Sequence, residues 1–382
     1  MTRAWIFGVA AAVLAGRSLA AQGNVSTLGF GYPPGQLSTR AEGSAGAFGE
    51  LDGESPLNPA ALSTWGPLGI HFQYDPEFRS VKASGQTENT TTSRFPVFSA
   101  GIPIGHFVIG LSASTLLDRT WLVNLTQTLP PEPGDASGTT ATTTYKSTGG
   151  ITDLQFGAAW SATPWLAVGA AFHAFTGQNQ ILESVNVTDT VTNRYQPSNY
   201  LSTISYGGEA VSVGVEFKPA QFLTLAGSYR SGGTVLIKSG DSTNLAHNSM
   251  PARAGGSVMF SGISGVLIAG RVDWEGWSAL NALGSGDLTA RDGVGWAIGT
   301  DIQGPTVAGR VITLRLGGGR RPLPYIFDAV SINETDLGGG IGVPFGRGRA
   351  TLDLSINHYW RTEVAGVNET AYIFSTGLTI RP

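Results

Sequence analysis

Residues 351–360 read TLDLSINHYW, and apolar and polar side chains alternate along the whole stretch. One face carries Leu352, Leu354, Ile356, His358 and Trp360. The other face carries Thr351, Asp353, Ser355, Asn357 and Tyr359. Successive side chains of a β-strand point to opposite faces of the sheet. The stretch therefore predicts a strand with one apolar face and one small or polar face.

The same alternation recurs from about residue 68 onward, for example in residues 209–217 and 266–274. Both a soluble sandwich and a membrane barrel are compatible with it. The predicted strands run about 10–14 residues, longer than the usual 5–6 of soluble sheets and sufficient to cross a bilayer at a tilt. Aromatic residues also collect near predicted strand ends, where barrel girdles lie: Trp121, Trp160, Trp165, Trp274, Trp277, Tyr359, Trp360, Tyr372 and Phe374.

The predicted connections alternate between short and long. The short ones are residues 105–106, 163–164, 219–220, 262–263, 304–307 and 346–348. The long ones are residues 76–93, 127–144, 178–202, 238–250, 276–292, 321–334 and 362–368. Such alternation is typical of an outer-membrane barrel of even strand number, here about 14. We predict an all-β, transmembrane antiparallel β-barrel, closed because an open edge in hydrocarbon would leave backbone groups unpaired.

The composition excludes several classes of function. Charged residues make up 13% of the 382-residue chain, about half the usual share. The net charge of −4 gives no reason to expect a nucleic acid as partner. The chain has no cysteine, so disulfides and thiolate metal sites are excluded. Its five histidines lack metal-like spacing, and we expect neither a metal nor an organic cofactor.

The N-terminal 66 residues differ from the rest. Residues 1–20 are typical of a secretory signal peptide, with Arg3, an apolar run over residues 5–16, and a small-residue site at Ser18 and Ala20. Residues 21–66 are Gly-rich and do not alternate, so we predict a plug inside the barrel, because a bore of this size is too wide for side chains alone to fill. Residues 67–382 form the predicted barrel. Within the plug, Asn58 and Pro59 can open a short helical turn as N-cap and first residue.

The stretch GSAGAFGELDGESPLNPAAL, residues 43–62, resembles the N-terminal hatch of the FadL-type long-chain fatty acid transporter family, also called the outer membrane protein transport family. The shared features fall on Gly46, Asp52, Asn58, Pro59, Ala60 and Leu62. Residues 250–260, with Pro251 and Arg253, are similar to a strand start of this family, and residues 337–354 resemble a hairpin of its type IX secretion shuttle-barrel relatives. The resemblance implies a 14-stranded barrel with a hatch in its lumen, and a gate at Asn58, Pro59 and Ala60.

Two further sets of residues are candidates for function. Polar residues alternating with apolar ones are expected to face the lumen, where they solvate it or bind the hatch or a ligand: Arg271, Asp273, Glu275, Arg315, Asp353 and Asn357. Hydrophobic residues in the predicted external loops are candidates for ligand capture, with loop packing as the alternative: Leu280, Leu283, Tyr325, Ile326 and Phe327. Glycine clusters such as residues 317–319 and 338–340 are expected to relieve crowding or bend strands.

We expect no catalytic residues. The triplet Gly240, Asp241 and Ser242 is similar to a lipase nucleophile block, but no strand–turn–helix pattern surrounds it. The predicted function is passive uptake of hydrophobic small molecules such as fatty acids, gated by the hatch, in the outer membrane of a Gram-negative-type bacterium. The alternatives are a FadL-like barrel that serves as a secretion shuttle or surface-protein platform, and an open porin, which the plug disfavours. The expected partners of this monomer are membrane lipid, a hydrophobic ligand and the barrel-assembly machinery.

Overall fold

The computed structural model describes residue 27 and residues 29–83, 85–128, 140–188, 198–240, 243–283, 288–307, 309–327 and 329–382. The predicted signal peptide, residues 1–20, lies outside the described residues, as do Asp241 and Ser242 of the lipase-like triplet.

The described residues contain 19 strand segments in one sheet. They are β1 (Gly69–Ala83), β2 (Gln86–Arg94), β3 (Val97–Ile104), β4 (Phe107–Asp118), β5 (Trp121–Thr128), β6 (Thr140–Thr163), β7 (Leu166–Thr188), β8 (Ser198–Ala220), β9 (Leu223–Arg230), β10 (Thr234–Ser239), β11 (Asn244–Ser249), β12 (Arg253–Ile263), β13 (Val266–Glu275), β14 (Leu288–Ala290), β15 (Gly293–Val307), β16 (Arg310–Phe327), β17 (Val330–Phe345), β18 (Ala350–Arg361) and β19 (Val367–Ile380).

These segments form 14 antiparallel barrel strands, so the predicted fold and strand number are confirmed. Five barrel strands are each interrupted once, between β2 and β3, β4 and β5, β9 and β10, β11 and β12, and β14 and β15. The first and last strands close the cylinder, because β1 pairs with β19 from Ile70↔Ile380 to Ala83↔Val367. Closure leaves the wall without a free edge, which is what hydrocarbon requires.

The barrel is apolar outside and polar inside, the reverse of a soluble sandwich. On β18, Leu354 and Ile356 are exposed, whereas Asp353 and Asn357 are buried in the lumen. Of the aromatic residues expected at strand ends, Trp160, Trp165, Trp360, Tyr372 and Phe374 are exposed on the outer surface. The expectation is wrong for Trp277, which is buried, and for Tyr359, whose hydroxyl lies 3.3 Å from the inward-facing Asn357 side chain.

The strands are longer than predicted at the end of the barrel that carries the longer connections, which we call the loop end. Residues 76–93, predicted as a loop, belong mostly to the β1–β2 hairpin. Residues 321–334 likewise belong mostly to β16 and β17. Beyond the membrane the outer face of a hairpin meets water instead of lipid, so its strands lose the outward apolar stripe that reveals them in the sequence. At the opposite end, which we call the turn end, residues 304–307 lie in β15 and are no turn.

This extension corrects the placement of three of the five candidate ligand-capture residues, whereas the other two lie in the connection after β13, as predicted. Tyr325, Ile326 and Phe327 lie in β16 and not in a loop. Leu280 and Leu283 lie in a 3-10 helix, η2 (Trp277–Leu283).

The remaining helices are short. The helix α1 (Thr39–Glu42) begins after Ser38, whose hydroxyl accepts the amide of Ala41. The 3-10 helix η1 (Pro59–Thr64) begins after Asn58, as predicted, and η3 (Gly346–Gly348) forms a turn. None of the helices in the described part of the chain has the length and apolar character needed to cross a membrane.

Candidate functional site

The hatch segment, which we define as residues 29–66, follows the inner wall along a track of glycines. A Cβ at any of these glycines would approach hatch atoms to between 1.8 and 3.3 Å. In hatch order, the closest approaches pair Thr39 with Gly377, Gly43 with Gly340, Ser44 with Gly317 and Gly299, Glu50 with Gly255, Asn58 with Gly214, Pro59 with Gly169, Leu62 with Gly157 and Gly110, and Trp65 with Gly101. The glycines lie on β19, β17, β16, β15, β12, β8, β7, β6, β4 and β3 in turn. The hatch segment therefore makes nearly one circuit of the lumen.

Asn58, Pro59 and Ala60, the predicted gate, lie at the last part of this circuit. The side-chain oxygen Oδ1 of Asn58 accepts the backbone amide of Ala60 at 3.0 Å. Its amide nitrogen donates to the Glu50 carbonyl at 2.9 Å and to the Val215 carbonyl at 3.4 Å. One buried side chain thus caps η1, ties it to the preceding turn and joins it to the wall.

Three acidic residues of the hatch segment bind the wall directly, and one of them, Glu42, accepts the Ser375 hydroxyl. Glu50 forms a buried ion pair with Arg253, the arginine of the family-like strand start, and accepts the Ser228 hydroxyl at 2.7 Å. Glu54 accepts the Thr379 hydroxyl at 2.8 Å and a guanidinium hydrogen of Arg381 at 3.1 Å. A buried carboxylate needs such partners, because removing a charge from water is costly.

Two of the six predicted lumen residues contact the hatch backbone. Arg271 donates to the Gly46 carbonyl at 3.0 Å, and Asn357 donates to the Glu42 carbonyl at 3.0 Å.

The other four bind wall neighbours. Asp273 accepts from Arg271 at 2.7 Å, and Glu275 accepts from Trp277 at 2.7 Å. Arg315 donates to Asp353 at 2.5 Å. The sequence contains no further signal that would separate these two groups, because it does not show which lumen residues lie beneath the hatch segment.

Tyr32 of the hatch segment lies in a cage of arginines that the sequence did not reveal. The guanidinium carbons of Arg94, Arg361 and Arg321 lie 4.9, 5.2 and 5.3 Å from the centre of its ring. Its hydroxyl donates toward both oxygens of Glu334, at 3.1 and 3.2 Å, and accepts from Arg321 at 2.8 Å. Burial, and then the Glu334 carboxylate, raise the pKa of Tyr32 to about 12.

The cage belongs to a charge-balanced network, which we call the cage network. Its four guanidinium groups are those of Arg79, Arg94, Arg321 and Arg361, and its four carboxylates are those of Glu77, Asp118, Glu334 and Glu369. Each carboxylate binds at least one of these arginines. The eight residues come together because the wall strands that carry them are neighbours in the closed barrel. Their spacing in the sequence therefore forms no recognisable motif.

An apolar layer, which we call the outer cluster, covers the cage network at the loop end. Phe30 of the hatch segment packs in it, 5.8 Å from the Tyr325 ring and 6.4 Å from the Trp277 ring. Its buried members are Phe30, Tyr32, Val81, Leu116, Leu117, Ile151, Phe175, Ile204, Tyr206, Ala210, Val235, Ile237, Met250, Trp277, Leu280, Leu288, Ala290, Leu323, Tyr325, Ile332, Val364 and Val367.

Four of the five candidate ligand-capture residues contribute to the outer cluster. Leu280 and Tyr325 are fully buried in it, and Leu283 and Phe327 pack against it half-buried. Ile326 is half-buried on the alternate face of β16. Four of the five residues therefore lie in an apolar layer inside the barrel mouth, where they are buried or half-buried.

Solved structures of known proteins share this arrangement of strands, although no family model and no curated protein matches the sequence. A FadL homologue from Pseudomonas aeruginosa matches with a TM-score of 0.63 and 14% identity, over 92% of this chain and 99% of that chain. The chain folds as a FadL-type barrel. The monoaromatic hydrocarbon channel CymD matches with a TM-score of 0.56 and 13% identity, over 91% and 97% of the two chains. The toluene transporter TbuX from Ralstonia pickettii matches with a TM-score of 0.56 and 13% identity, over 90% and 98%.

A cleft in this FadL-type barrel runs from the hatch segment to the wall. It lies between the hatch residues Pro33, Pro34, Gly35 and Leu37 and the wall residues Arg271, Asp273 and Arg321, and it reaches Trp296. Trp296 is exposed on the outer surface. The cleft thus lies below Tyr32 and borders the wall at Gly293, Gly295 and Trp296.

The wall of the FadL-type barrel is weakened beside this cleft. The ladder between β15 and β16 runs up to Trp296↔Arg320 and resumes between β14 and β16 at Ala290↔Tyr325. Between them the described residues 292–295 and 321–323 form no register pair with each other, although residues 293–295 pair with β13 and residues 321–322 pair with β17. Pro322 has no amide hydrogen to donate to a ladder. Its ring fills the space beside Gly293, where a Cβ would lie 2.0 Å from the proline Cγ.

An Asp–His–Ser arrangement also lies in the lumen of the FadL-type barrel. His173 Nδ1 lies 2.9 Å from Asp153, and its Nε2 lies 2.8 Å from the Ser212 hydroxyl. Gln36 of the hatch segment donates to Asp153 at 3.1 Å and covers the group. Ser212 is 3% exposed and lines neither the cleft nor the small cavity beside Asn58. The arrangement binds the hatch segment through Gln36.

The described residues include no group of three or more His, Asp or Glu side chains suited to a metal ion.

Proposed function

We propose that this chain is an outer-membrane channel for the passive uptake of hydrophobic small molecules, with the hatch segment as its gate. The observation that carries the proposal is a closed barrel, apolar outside, whose lumen holds its own N-terminal segment beneath an apolar layer. An apolar layer inside a barrel mouth favours solutes that partition out of water. A pore for hydrophilic solutes does not need such a layer.

Entry is proposed to occur through the outer cluster. Leu280, Leu283, Tyr325, Ile326 and Phe327 are proposed to capture the ligand at the loop end. Their apolar side chains remove a hydrophobic solute from water at a gain of about 25 cal/mol for each Å² buried.

Exit is proposed to occur sideways, through the weakened wall between β15 and β16. The missing register pairs, Pro322 and the glycines at positions 293 and 295 mean that fewer hydrogen bonds must break there than elsewhere in the ladder. The cleft leads from the hatch segment to this place. A hydrophobic solute that leaves through it enters lipid without crossing water.

The names of similar structures support this class of solute. CymD is called a monoaromatic hydrocarbon channel and TbuX a toluene transporter. We propose the same broad class for this chain, together with a location in the outer membrane, contact with its lipid, assembly by the barrel-assembly machinery, and a monomeric state.

Uptake by liposomes that contain the purified protein tests the proposal. We expect a labelled fatty acid and toluene to enter faster than they enter protein-free liposomes, whereas a sugar of similar size does not. Asn58→Ala is expected to change the rate, because it removes the cap and the wall contact of η1. Entry of the sugar at the same rate would instead indicate an open porin. If the protein is folded and none of the solutes enters faster than it enters protein-free liposomes, the proposal is contradicted and an attachment platform is favoured.

A further inference from the structure

Tyr32 occupies its site in the way that a bound ligand does. Its side chain is 1% exposed, its ring faces three guanidinium groups, and its hydroxyl has a charged donor and a charged acceptor. Guanidinium groups attract the face of an aromatic ring, and more strongly when water is excluded. The site therefore recognises an aromatic ring and a hydroxyl group together.

The charge balance of the site selects a neutral ligand. The cage network contains four guanidinium groups and four carboxylates joined by direct ion pairs. A carboxylate ligand would add a charge with no counterion at a buried place, which is unfavourable. The raised pKa of Tyr32 agrees with this, because a phenol there keeps its proton well above neutral pH.

The backbone of the segment that carries Tyr32 can change conformation and withdraw the tyrosine from its site. It contains Gly29, Gly31 and Gly35, all with positive φ, of 75°, 126° and 105°. Its backbone is joined to the wall by the isolated bridge Tyr32↔Asp118, with hydrogen bonds of 2.7 and 2.8 Å. The Arg119 guanidinium also donates to the Phe30 and Gly29 carbonyls, at 2.9 and 3.0 Å. Glycine permits large changes of backbone angles at low cost, so loss of the bridge and of the two Arg119 hydrogen bonds would release both Phe30 and Tyr32.

We propose, on the basis of the proposed function, that the cage is a selectivity site for neutral phenolic compounds, and that Tyr32 is an internal substitute which the ligand displaces. The ligand's hydroxyl binds Glu334 and Arg321, its ring lies between the guanidinium groups, and its apolar substituent takes the place of Phe30 beside Tyr325 and Trp277. The cleft below Arg321 then receives it.

Binding of four small compounds to the purified Tyr32→Ala protein tests this proposal by titration calorimetry. The compounds are 4-ethylphenol, ethylbenzene, 4-ethylbenzoate and 4-ethylcyclohexanol. They separate the roles of the hydroxyl, the absence of charge and the aromatic ring. We expect 4-ethylphenol to bind at least about tenfold more tightly than each of the others, because its hydroxyl bonds to charged groups. Wild-type protein should bind it more weakly than Tyr32→Ala, because its own tyrosine competes.

Phe30→Ala is the matched control, because it opens a cavity on the same segment but beside Tyr325 and Trp277 and away from the cage. It should bind 4-ethylphenol and ethylbenzene equally. If Tyr32→Ala fails to fold, Tyr32→Phe decides, because it keeps the ring and loses only the competing hydroxyl. It should bind 4-ethylphenol several-fold more tightly than wild type does. Equal binding of 4-ethylphenol and ethylbenzene by the folded variant overturns the proposal, as does tighter binding of 4-ethylbenzoate.

This result can be separated from the proposed function. Liposomes that take up toluene, combined with a cage that shows no preference for phenol, would remove the phenolic site and leave the channel. Liposomes that take up no solute, combined with selective phenol binding by Tyr32→Ala, would remove the channel and leave the site.

Discussion

At the scale of single residues, Asn58 and Gly214 act as a pair. Asn58 contacts the wall only because Gly214 has no side chain, since a Cβ there would lie 1.8 Å from the Asn58 oxygen. The asparagine is recognisable in the sequence as a helix cap. The glycine that admits it lies 156 positions later and is one of many in the wall, so the sequence does not reveal it.

Gly214→Ala is therefore expected to dislodge the end of the hatch segment. The loss of a buried cap and its wall contact should cost about 1–2 kcal/mol of hatch docking. Proteolysis of the hatch segment in the folded barrel measures this. Gly207→Ala is the matched control on the same strand, because nothing lies within 4 Å of a Cβ there. Equal protease resistance of the two variants would contradict the pairing.

Glu42 gives the hatch segment a dependence on pH. It is buried in α1 and accepts the Ser375 hydroxyl. Burial, and then the neighbouring Asp75 carboxylate, hold the pKa of Glu42 well above its usual range. A carboxyl group with a raised folded pKa favours the folded state fully below its unfolded pKa of about 4.3, and this contribution is lost as pH rises through the folded pKa.

We expect the wild-type melting temperature to fall between pH 5 and pH 8, and Glu42→Gln to reduce that fall, because glutamine stays neutral with a similar shape. Thermal unfolding at both pH values measures it. Glu363→Gln, on an exposed residue of the β18–β19 connection, should leave the wild-type difference unchanged. An undiminished difference in Glu42→Gln would exclude Glu42 as its source.

At the scale of elements, the ladder between β15 and β16 has two parts. It is continuous on the side of Trp296↔Arg320 that leads to the turn end, and it is weakened beside Gly293 and Pro322. The chain has no cysteine, so engineered disulfides can lock either part. A Cβ at Gly293 would lie 2.9 Å from the Pro322 Cβ, and a Cβ at Gly319 would lie 3.3 Å from the Ala297 Cβ. Both distances are shorter than the roughly 3.5–4.5 Å between the Cβ atoms of a disulfide, so each pair can be bridged once the two strands move slightly apart.

The double variant Gly293→Cys, Pro322→Cys is expected to stop sideways exit when oxidised and to regain uptake when reduced. The double variant Ala297→Cys, Gly319→Cys joins the same two strands where the ladder is intact, and its uptake should not depend on the redox state. Liposome uptake with and without a reductant gives the comparison. If the first pair takes up solute equally in both states, the solute leaves by another path.

At the scale of the whole molecule, the hatch segment and the barrel form one closed object. The hatch segment fills the lumen by following the wall, and the outer cluster closes the loop end above it. A barrel of about 14 strands without such a filling has an aqueous bore, because its diameter grows with strand number.

Deletion of residues 29–57 is therefore expected to turn a silent protein into an open pore. Single-channel recording in planar bilayers should show no steady conductance for wild type and a steady ohmic conductance for the deletion variant. The glycine track would then line the pore and be exposed to water. A deletion variant that inserts as a folded barrel and remains silent would show that the wall or outer cluster closes the lumen without the hatch segment.

The sequence by itself determined the wall. The alternation in residues 351–360 predicts which side chains face lipid, because a strand has a period of two and lipid accepts only one kind of face. The alternation of short and long connections predicted the strand number, because each connection is also recognised from its own stretch of sequence. Prediction was weaker where the strands leave the membrane, since residues such as Tyr325 and Phe327 then lie in hairpins that no apolar stripe marks.

Only the tertiary structure decided the path of the hatch segment and the cage around Tyr32. Tyr32 and Glu334 are 302 positions apart, and Arg94 and Arg361 come from opposite ends of the chain, so closure of the barrel alone brings them together. A local pattern specifies what each strand shows to its surroundings. Which side chains meet across the lumen depends on register and closure summed over all the strands, and no short stretch of sequence contains that sum.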